Sequence, residues 1–374
     1  MKTKGYENGL SAAKYLSTRR SFYFMFVGLL VFALYLYFFV GIDQIVQVAK
    51  GVNPVQYAIF YILAILAIVV GNFFWAASWR SALNTLSVKI SMKNAFLYFW
   101  TGYFVDLVVP CETVCGEVTR LVLVHKETNE SSGAIAAGGI TNRIVAYVIV
   151  VIGLYSGAAL LLLRSSVPTF ILSFLVLILF GATLYFAVLL YLAFSANAAS
   201  RIASIVLRLL RIVRPKKYRS SDLSPETKES LAAFYSSFQL FRGHPRYMVK
   251  PFVFMTLSFL INLLAYILVF FALGISSQSF AFFIIVYFIA GSITDVAASF
   301  SVGTLDILLA SIFILYGLNP ALSGITAALV RSVTFWFPLI FGYVVVQVVG
   351  AKKLLSPSPQ KKAITASNNQ LSTS

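Results

Sequence analysis

The chain is built from apolar runs of about 20 residues that alternate with short polar or charged segments. Runs of this length match the roughly 30 Å hydrocarbon thickness of a bilayer, because a helix rises about 1.5 Å per residue. The pattern predicts an all-α, polytopic membrane bundle. The predicted helices are 21–40, 54–77, 94–110, 113–125, 135–163, 167–194, 251–273, 280–298, 303–318 and 322–349.

The composition agrees with this prediction. Of 374 residues, 60% are hydrophobic and 11% are charged, whereas soluble domains contain about 25% charged residues. The formal net charge is +17. Lys and Arg flank the apolar runs, which indicates contact with anionic lipid headgroups and not with nucleic acid.

Basic segments predict the orientation and divide the chain. The N-terminal tail 1–20, the loop 195–250 and the tail 351–374 are all rich in Lys and Arg, with eleven in the loop alone. By the positive-inside rule, all three are expected to be cytoplasmic, with the protein in the cell (plasma) membrane. The tail 351–374, rich in Ser, Pro, Gln and Asn, is expected to be disordered. Between these segments lie a first membrane half, 21–194, and a second, 251–350.

This orientation requires two hairpins. If 94–110 and 113–125 enter and leave the membrane on the cytoplasmic side, the loop 195–250 stays inside, and Pro110 fits as the helix breaker. By the same counting, 280–298 and 303–318 form a hairpin that enters from outside. Each hairpin can be re-entrant or contain a broken helix. Two complete spans in its place would leave the basic segments on the same sides of the membrane.

The two halves then share one plan. Segments 54–163 and 251–349 each read as span, hairpin, span, in opposite orientations. Inverted repeats with broken helices that meet near the membrane midplane are typical of secondary transporters. A chance resemblance between apolar stretches is the alternative.

Charged residues within the apolar halves are the candidate chemistry. Glu117 is followed 26 residues later by Arg143, and Asp306 is followed 25 residues later by Arg331. Ionised groups in hydrocarbon cost several kcal/mol unless paired or hydrated, so they are functional candidates. Their repetition suggests one site between the two halves.

Each candidate also has a structural interpretation. Glu117 and Arg120 can pair along one helix face and simply stabilise a hairpin, and Arg143 can extend to the membrane surface. Arg331 can pair with an acid or bind a phosphate through its planar guanidinium. Asp106 and Asp295 are further candidates that can also lie near the interface. The predicted substrate-binding residues are Glu117, Arg120, Asn142, Arg143, Asp306 and Arg331.

No other motif points to a cofactor. Cys111 and Cys115 have only His125 nearby, so we expect no metal and interpret the cysteines as small apolar residues, with a redox role as the alternative. The sequence contains no Gly-rich phosphate-binding motif, so it does not predict an ATPase. The loop 195–250 is predicted to lie on the membrane surface, or to bind a membrane-protein partner.

The charged motifs resemble those of the lysylphosphatidylglycerol synthase transmembrane-region family of flippase-like membrane proteins. The similarity covers roughly residues 20–350 and rests on four motifs. These are Pro110…Gly116-Glu117-x-x-Arg120, Asn142-Arg143, Gly303-x-x-Asp306 and Arg331…Trp336-x-Pro338. The resemblance implies the flipping half of such proteins, without the synthase domain.

The leading hypothesis is therefore a non-enzymatic, flippase-like protein that moves a phospholipid or lipid-linked headgroup between leaflets. A membrane-embedded enzyme, or its subunit, acting on a lipid-linked substrate is the alternative. A scaffold that recruits a partner through 195–250 is the third hypothesis.

Overall fold

The computed structural model describes residues 42–109, 114–163, 169–194, 243–297 and 302–353, with single positions in 26–37 and 233–241. Every regular element among them is a helix, which confirms the predicted all-α membrane bundle. The helices are α1 Ile42–Gly51, α2 Pro54–Thr85, α3 Met92–Val108, α4 Val114–Thr128, α5 Ser132–Leu162, α6 Thr169–Phe194, α7 Arg246–Ala272, α8 Phe280–Ala297, α9 Thr304–Leu315, α10 Pro320–Arg331 and α11 Phe337–Lys353. A π-helical segment, Ser332–Trp336, joins α10 to α11.

The predicted helices within the described ranges are all present. The largest difference is at α2, which continues to Thr85 instead of ending at 77. Its last turns are polar, but Ser78 and Ser81 are buried against other helices. The predictions for 1–20, 21–40, 195–250 and 351–374 fall mostly outside the described residues.

Four helical stretches of the described chain are long and apolar enough to cross a membrane. They are α2, most of α5, α7 and the continuous stretch Pro320–Val349. Asn53 and Asn319 each accept backbone N–H groups at a helix start, and each is followed by proline. An Asn cap followed by proline at the first helical position is a strong helix start.

The hairpin arms are shorter than these spans. The second arms, α4 with 15 residues and α9 with 12, extend about 22 and 18 Å at 1.5 Å per residue. In the first hairpin, Glu127 near the end of α4 accepts from Asn94 at 2.5 Å and from Tyr98, both in α3. The two open ends of that hairpin therefore lie together, as both a re-entrant hairpin and a pair of complete spans require.

Among the described helices, α2 and α7 make the most extensive contact. Small residues such as Ala64, Ala67 and Gly71 are buried on α2, whereas Ile59 and Leu66 are exposed. In lipid, helices associate through small residues that allow close approach, and apolar side chains remain outside against the acyl chains. The first long helix of each half thus packs on the other.

The remaining contacts between the halves are reciprocal. Helix α5 packs on α8, and α11 packs on α3, so the last helix of each predicted repeat, 54–163 or 251–349, covers the first hairpin arm of the other. Gly157 in α5 faces Ile285, and Gly342 in α11 faces Phe104, where an added Cβ would come within 3.0 and 2.9 Å, respectively. An inverted repeat would produce this exchange, and the inverted relationship itself stays a prediction.

Candidate functional site

A cavity of about 180 Å³ lies between the two halves. Its walls come from α2, α3, α4 and α5 of the first half, and from α7, α8 and the end of α10 with the π-helical segment of the second. Four charged side chains line it, namely Asp106, Arg120, Arg143 and Arg331. Charges from both halves of the sequence thus line one cavity.

In the first cluster, one carboxylate oxygen joins two arginines. Glu117 Oε1 accepts from Arg120 Nη1 at 2.6 Å and lies 3.1 Å from Arg143 Nη2. Arg120 and Glu117 lie on α4 and Arg143 on α5, so the ion pair ties the hairpin to the following long helix. The side chains of Arg143 and Glu117 are 19% and 29% exposed, so this part of the cluster remains partly accessible.

Asp106 completes the first cluster. Its Oδ1 accepts from the Gly116 N–H at 2.7 Å, and its Oδ2 lies 3.6 Å from Arg120 Nη2. A carboxylate near a helix N-terminus is stabilised by the helix dipole and by unpaired N–H groups. Asp106 is part of the cavity wall. The side chain of Asp295 lies outside the described residues.

Two glycines allow the hairpin arms to approach each other around the first cluster. A Cβ on Gly102 would lie 2.5 Å from Arg120 Nε and 2.8 Å from the Gly116 carbonyl oxygen. A Cβ on Gly116 would overlap both Asp106 and the Gly102 carbonyl. The hairpin arms therefore meet at a contact that only glycine permits.

The second cluster uses a similar arrangement. Asp306 Oδ2 accepts from the Gly303 N–H at 2.7 Å, and its Oδ1 lies 3.4 Å from Arg331 Nε. Gly303 has φ +82°, a conformation that favours glycine. The side chains of Arg331 and Asp306 are only 4% and 6% exposed. The pair is thus more deeply buried than the pair between Arg143 and Glu117.

The arginines in both halves also lie over phenylalanine rings. The Arg120 guanidinium carbon is 4.9 Å from the centre of the Phe99 ring, and that of Arg331 is 4.6 Å from the Phe335 ring. Phe335 belongs to the π-helical segment that directly follows Arg331. Such segments interrupt α-helices frequently at functional sites.

Asn142 does not reach the cavity. It is buried, and its Oδ1 accepts from Ser78 Oγ at 2.7 Å, while the same hydroxyl lies 2.8 Å from the Pro251 carbonyl oxygen. These contacts join α2, α5 and α7. The structure therefore places Asn142 at a contact between three helices, and its predicted substrate contact stays a prediction.

The two cysteines also need a correction. Cys115 is disulfide-bonded, so it is not the apolar filler that the sequence suggested. Cys111, the other cysteine of the chain, lies outside the described residues.

Comparison with known proteins identifies the family. The family model described as the lysylphosphatidylglycerol synthase transmembrane region matches residues 25–342. The chain belongs to the lysylphosphatidylglycerol synthase transmembrane-region family. The matched region contains both charged clusters and all residues that line the cavity.

Two archaeal relatives cover most of the chain. A UPF0104 membrane protein of Methanocaldococcus jannaschii is 23% identical over 330 residues, which is 85% of this chain and 92% of that protein. A UPF0104 membrane protein of Pyrococcus horikoshii is 22% identical over 320 residues, with coverages of 80% and 89%. No solved structure matches the chain.

The sequence did not lead us to predict two asparagines that line the cavity. Asn72 in α2 and Asn262 in α7 line the cavity and are 7% and 8% exposed. The available signal was a lone amide inside an apolar run, which is costly in lipid. Asn72 and Asn262 are 190 positions apart, close to the 189 between Glu117 and Asp306.

Proposed function

We propose that this protein moves a phospholipid or lipid-linked headgroup between the two leaflets of the plasma membrane. The observation that carries the proposal is that arginines from both halves line one cavity between them. Guanidinium groups bind phosphate through two parallel hydrogen bonds, and charged groups inside a membrane mark substrate pathways. The family description names a phospholipid, which supports a lipid substrate.

The acids have a separate task in this proposal. Glu117 and Asp306 contact the arginines but do not line the cavity. The two carboxylates hold the guanidinium groups in place until a phosphate competes for the guanidinium groups. No energy source is visible, so transport runs downhill or is coupled to an ion through these carboxylates.

The arrangement of the halves suggests how access would change. The cavity is lined by α3 and α4 of the first hairpin and by α8 of the second, whose predicted orientations are opposite, and the last helix of each predicted repeat packs on the first hairpin arm of the other. Movement of one half against the other would open the cavity to one leaflet at a time. The basic segments would face the cytoplasm throughout.

Leaflet exchange of a fluorescent phospholipid in proteoliposomes tests the proposal. We expect Arg143→Gln to abolish exchange, and likewise the double variant Asp306→Asn/Arg331→Gln, which removes the second arginine without leaving a buried unpaired acid. The matched control is Arg246→Gln, since Arg246 is exposed at the start of α7. Unchanged exchange in both cavity variants would contradict the assignment of the site.

The alternative hypotheses predict other results. A membrane-embedded enzyme acting on a lipid-linked substrate would yield a new product from the purified protein, whereas a transporter returns the lipid chemically unchanged. A scaffold would lose its function when 195–250 is deleted, with lipid exchange intact. Mass spectrometry of the recovered lipid and the deletion variant distinguish these cases.

A further inference from the structure

Asp106 is the one carboxylate among the described residues that line the cavity. It also makes a loose ion pair, because its Oδ2 lies 3.6 Å from Arg120 Nη2, compared with 2.6 Å between Glu117 Oε1 and Arg120 Nη1. Its other oxygen accepts from the Gly116 N–H at 2.7 Å. Asp106 can therefore lose its charge without leaving Arg120 without a carboxylate, since Glu117 remains in contact with it.

Arg120 combines its ion pairs with an unused donor. The side chain lines the cavity and is 6% exposed. Its Nε is buried and has no hydrogen-bond partner in the described part of the chain. A buried donor without a partner is costly, so this nitrogen points to a ligand oxygen. A lipid phosphate in the cavity can accept from Arg120 while Glu117 keeps its contact.

The two charged clusters are balanced before a ligand enters. The described side chains supply three guanidinium groups and three carboxylates, namely Arg120, Arg143, Arg331, Asp106, Glu117 and Asp306. A phosphate diester adds one negative charge to this neutral set, in a cavity of only about 180 Å³. Phosphate and Asp106 then compete for Arg120, and a buried charge without a partner is strongly unfavourable. Neutralising Asp106 restores the balance.

A proton neutralises Asp106 with no further ligands. The carboxylic acid keeps an oxygen that accepts from Gly116, and its O–H can donate to a phosphate oxygen. A hard metal cation needs several oxygen ligands and would lie beside the Arg120 guanidinium. A headgroup ammonium, as in lysylphosphatidylglycerol, can pair with the ionised carboxylate. Lipids of that kind need no proton.

The charged and titratable groups around Asp106 come from several helices. Arg120 and Glu117 of α4 and Arg143 of α5 act on it electrostatically. Helix α2 contributes only residues that do not titrate to the cavity wall, and α11 places Tyr343 against a phenylalanine of α3. The other charged or titratable groups among the described lining residues are Tyr103, Tyr147, Tyr266, Tyr287 and Arg331.

We propose that Asp106 is the proton site of the cavity, and that a phosphate headgroup without an ammonium group crosses the membrane together with one proton on Asp106. The inference rests on the proposed function and names its coupling ion. The O–H bond of Asp106 forms with a proton from water on the side where the lipid enters. It breaks when the lipid leaves, and water on the other side takes the proton.

Fluorescent phosphatidylglycerol in proteoliposomes tests the coupling, with protein-free vesicles as the baseline. Exchange should fall as pH rises, by up to about tenfold per pH unit, because only the protonated protein accepts this lipid. A gradient of one pH unit, acidic outside, should drive the lipid toward an excess of about tenfold in the inner leaflet. A membrane potential alone should leave its distribution unchanged, since the lipid and its proton form a neutral pair.

Asp106→Asn resembles the protonated acid in size and in hydrogen bonding. It should exchange phosphatidylglycerol at a rate independent of pH and should not respond to the pH gradient. The matched controls are Glu130→Gln, which neutralises an exposed acid, and His125→Gln/His244→Gln, because histidine often titrates near neutral pH. Both should keep the wild-type pH dependence. If Asp106→Asn fails to fold, Asp106→Ser, which keeps an oxygen acceptor, should give the same result.

Several results would overturn this inference and leave lipid transport standing. They are exchange by the wild type that is independent of pH, a pH dependence that persists in Asp106→Asn, and accumulation driven by a membrane potential or a sodium gradient. Lysylphosphatidylglycerol should exchange with a much weaker pH dependence. An equally steep fall for this lipid would show that the pH effect does not come from an unpaired carboxylate, and it would also overturn the inference.

Proton uptake on binding keeps the test independent of transport. Calorimetric titration with dihexanoyl phosphatidylglycerol, in two buffers of different ionisation enthalpy, counts the protons taken up with the lipid. At alkaline pH the wild type should take up close to one proton per lipid, and Asp106→Asn none. If no lipid exchanges in vesicles, transport fails, and this count still decides the proton site. No uptake by the wild type, or equal uptake by both proteins, would refute it.

Discussion

Removing the charge of Asp306 should be far more damaging than removing that of Arg143. Asp306→Asn keeps the size of the side chain and an oxygen that can accept from the Gly303 N–H. It leaves Arg331 charged, with its side chain 4% exposed, and without the carboxylate that lies 3.4 Å from its Nε. Breaking a buried ion pair by removing one partner costs about 3–5 kcal/mol.

Arg143→Gln changes a different kind of pair. The Arg143 and Glu117 side chains are 19% and 29% exposed, and Glu117 keeps its 2.6 Å contact with Arg120. Solvent screens such a pair, and partly exposed ion pairs contribute about 0–1 kcal/mol. The expected loss of stability is therefore several times smaller than for Asp306→Asn.

Thermal unfolding in detergent measures the difference. At about 2 °C per kcal/mol for a chain of this size, Asp306→Asn should lower Tm by about 6–10 °C and Arg143→Gln by about 2 °C or less. The double variant Asp306→Asn/Arg331→Gln removes both charges and should recover most of the loss, because the buried guanidinium that lost the Asp306 carboxylate is then neutral as well.

Equal Tm changes in the two single variants would refute this reasoning. A double variant as unstable as Asp306→Asn would also refute it, since the loss would then come from shape and not from charge. The expected pattern has a practical consequence. Loss of transport in Arg143→Gln can be attributed to the site, whereas for Arg331 only the neutral double variant permits that conclusion.

Three further predictions follow from the structure. Gly291 lines the cavity and has open space around it. Gly291→Leu should therefore block lipid exchange with little change in Tm, whereas Gly181→Leu, also in open space, should do neither; normal exchange with Gly291→Leu would contradict the cavity as the pathway. Gly102→Ala should lower both Tm and exchange, because its Cβ would meet Arg120 Nε at 2.5 Å; wild-type values in both assays would show that the hairpin arms can separate without cost. A cysteine in 195–250 should react with an impermeant reagent only from the cytoplasmic side, and one at Lys50 only from outside, as measured in right-side-out and inverted vesicles; the reverse labelling would overturn the orientation.

Much of the fold could be predicted because a bilayer restricts the solutions. Run length against hydrocarbon thickness placed helices such as α3 and α8 within a few residues of their bounds. Burial of Ser78 in the extension of α2 could not be predicted, since hydropathy treats a serine bound by neighbouring helices like one in water. For the same reason the hydrogen bond between Ser78 and the Asn142 amide, which joins two helices, could not be predicted.

The candidate site was predicted in part. Charges in apolar runs marked Arg120, Arg143 and Arg331 because ionised groups are costly in lipid wherever the chain folds, and the structure places all three at one cavity. The similar spacing from each acid to the next arginine predicted that Asp306 corresponds to Glu117. The contacts of Asp306 instead resemble those of Asp106, since each carboxylate accepts a glycine N–H in its hairpin and lies near an arginine.

The sequence by itself determined that the chain is a helical membrane protein, where its helices lie and which charges need an explanation. These properties depend on local hydropathy and on the cost of each ionised group. Only the tertiary structure decided which side chains share the cavity, Asn72 and Asn262 among them, and which acid pairs with which arginine. A helix that is apolar on all sides does not indicate which face packs against protein, so that choice is made by the shape of its neighbours.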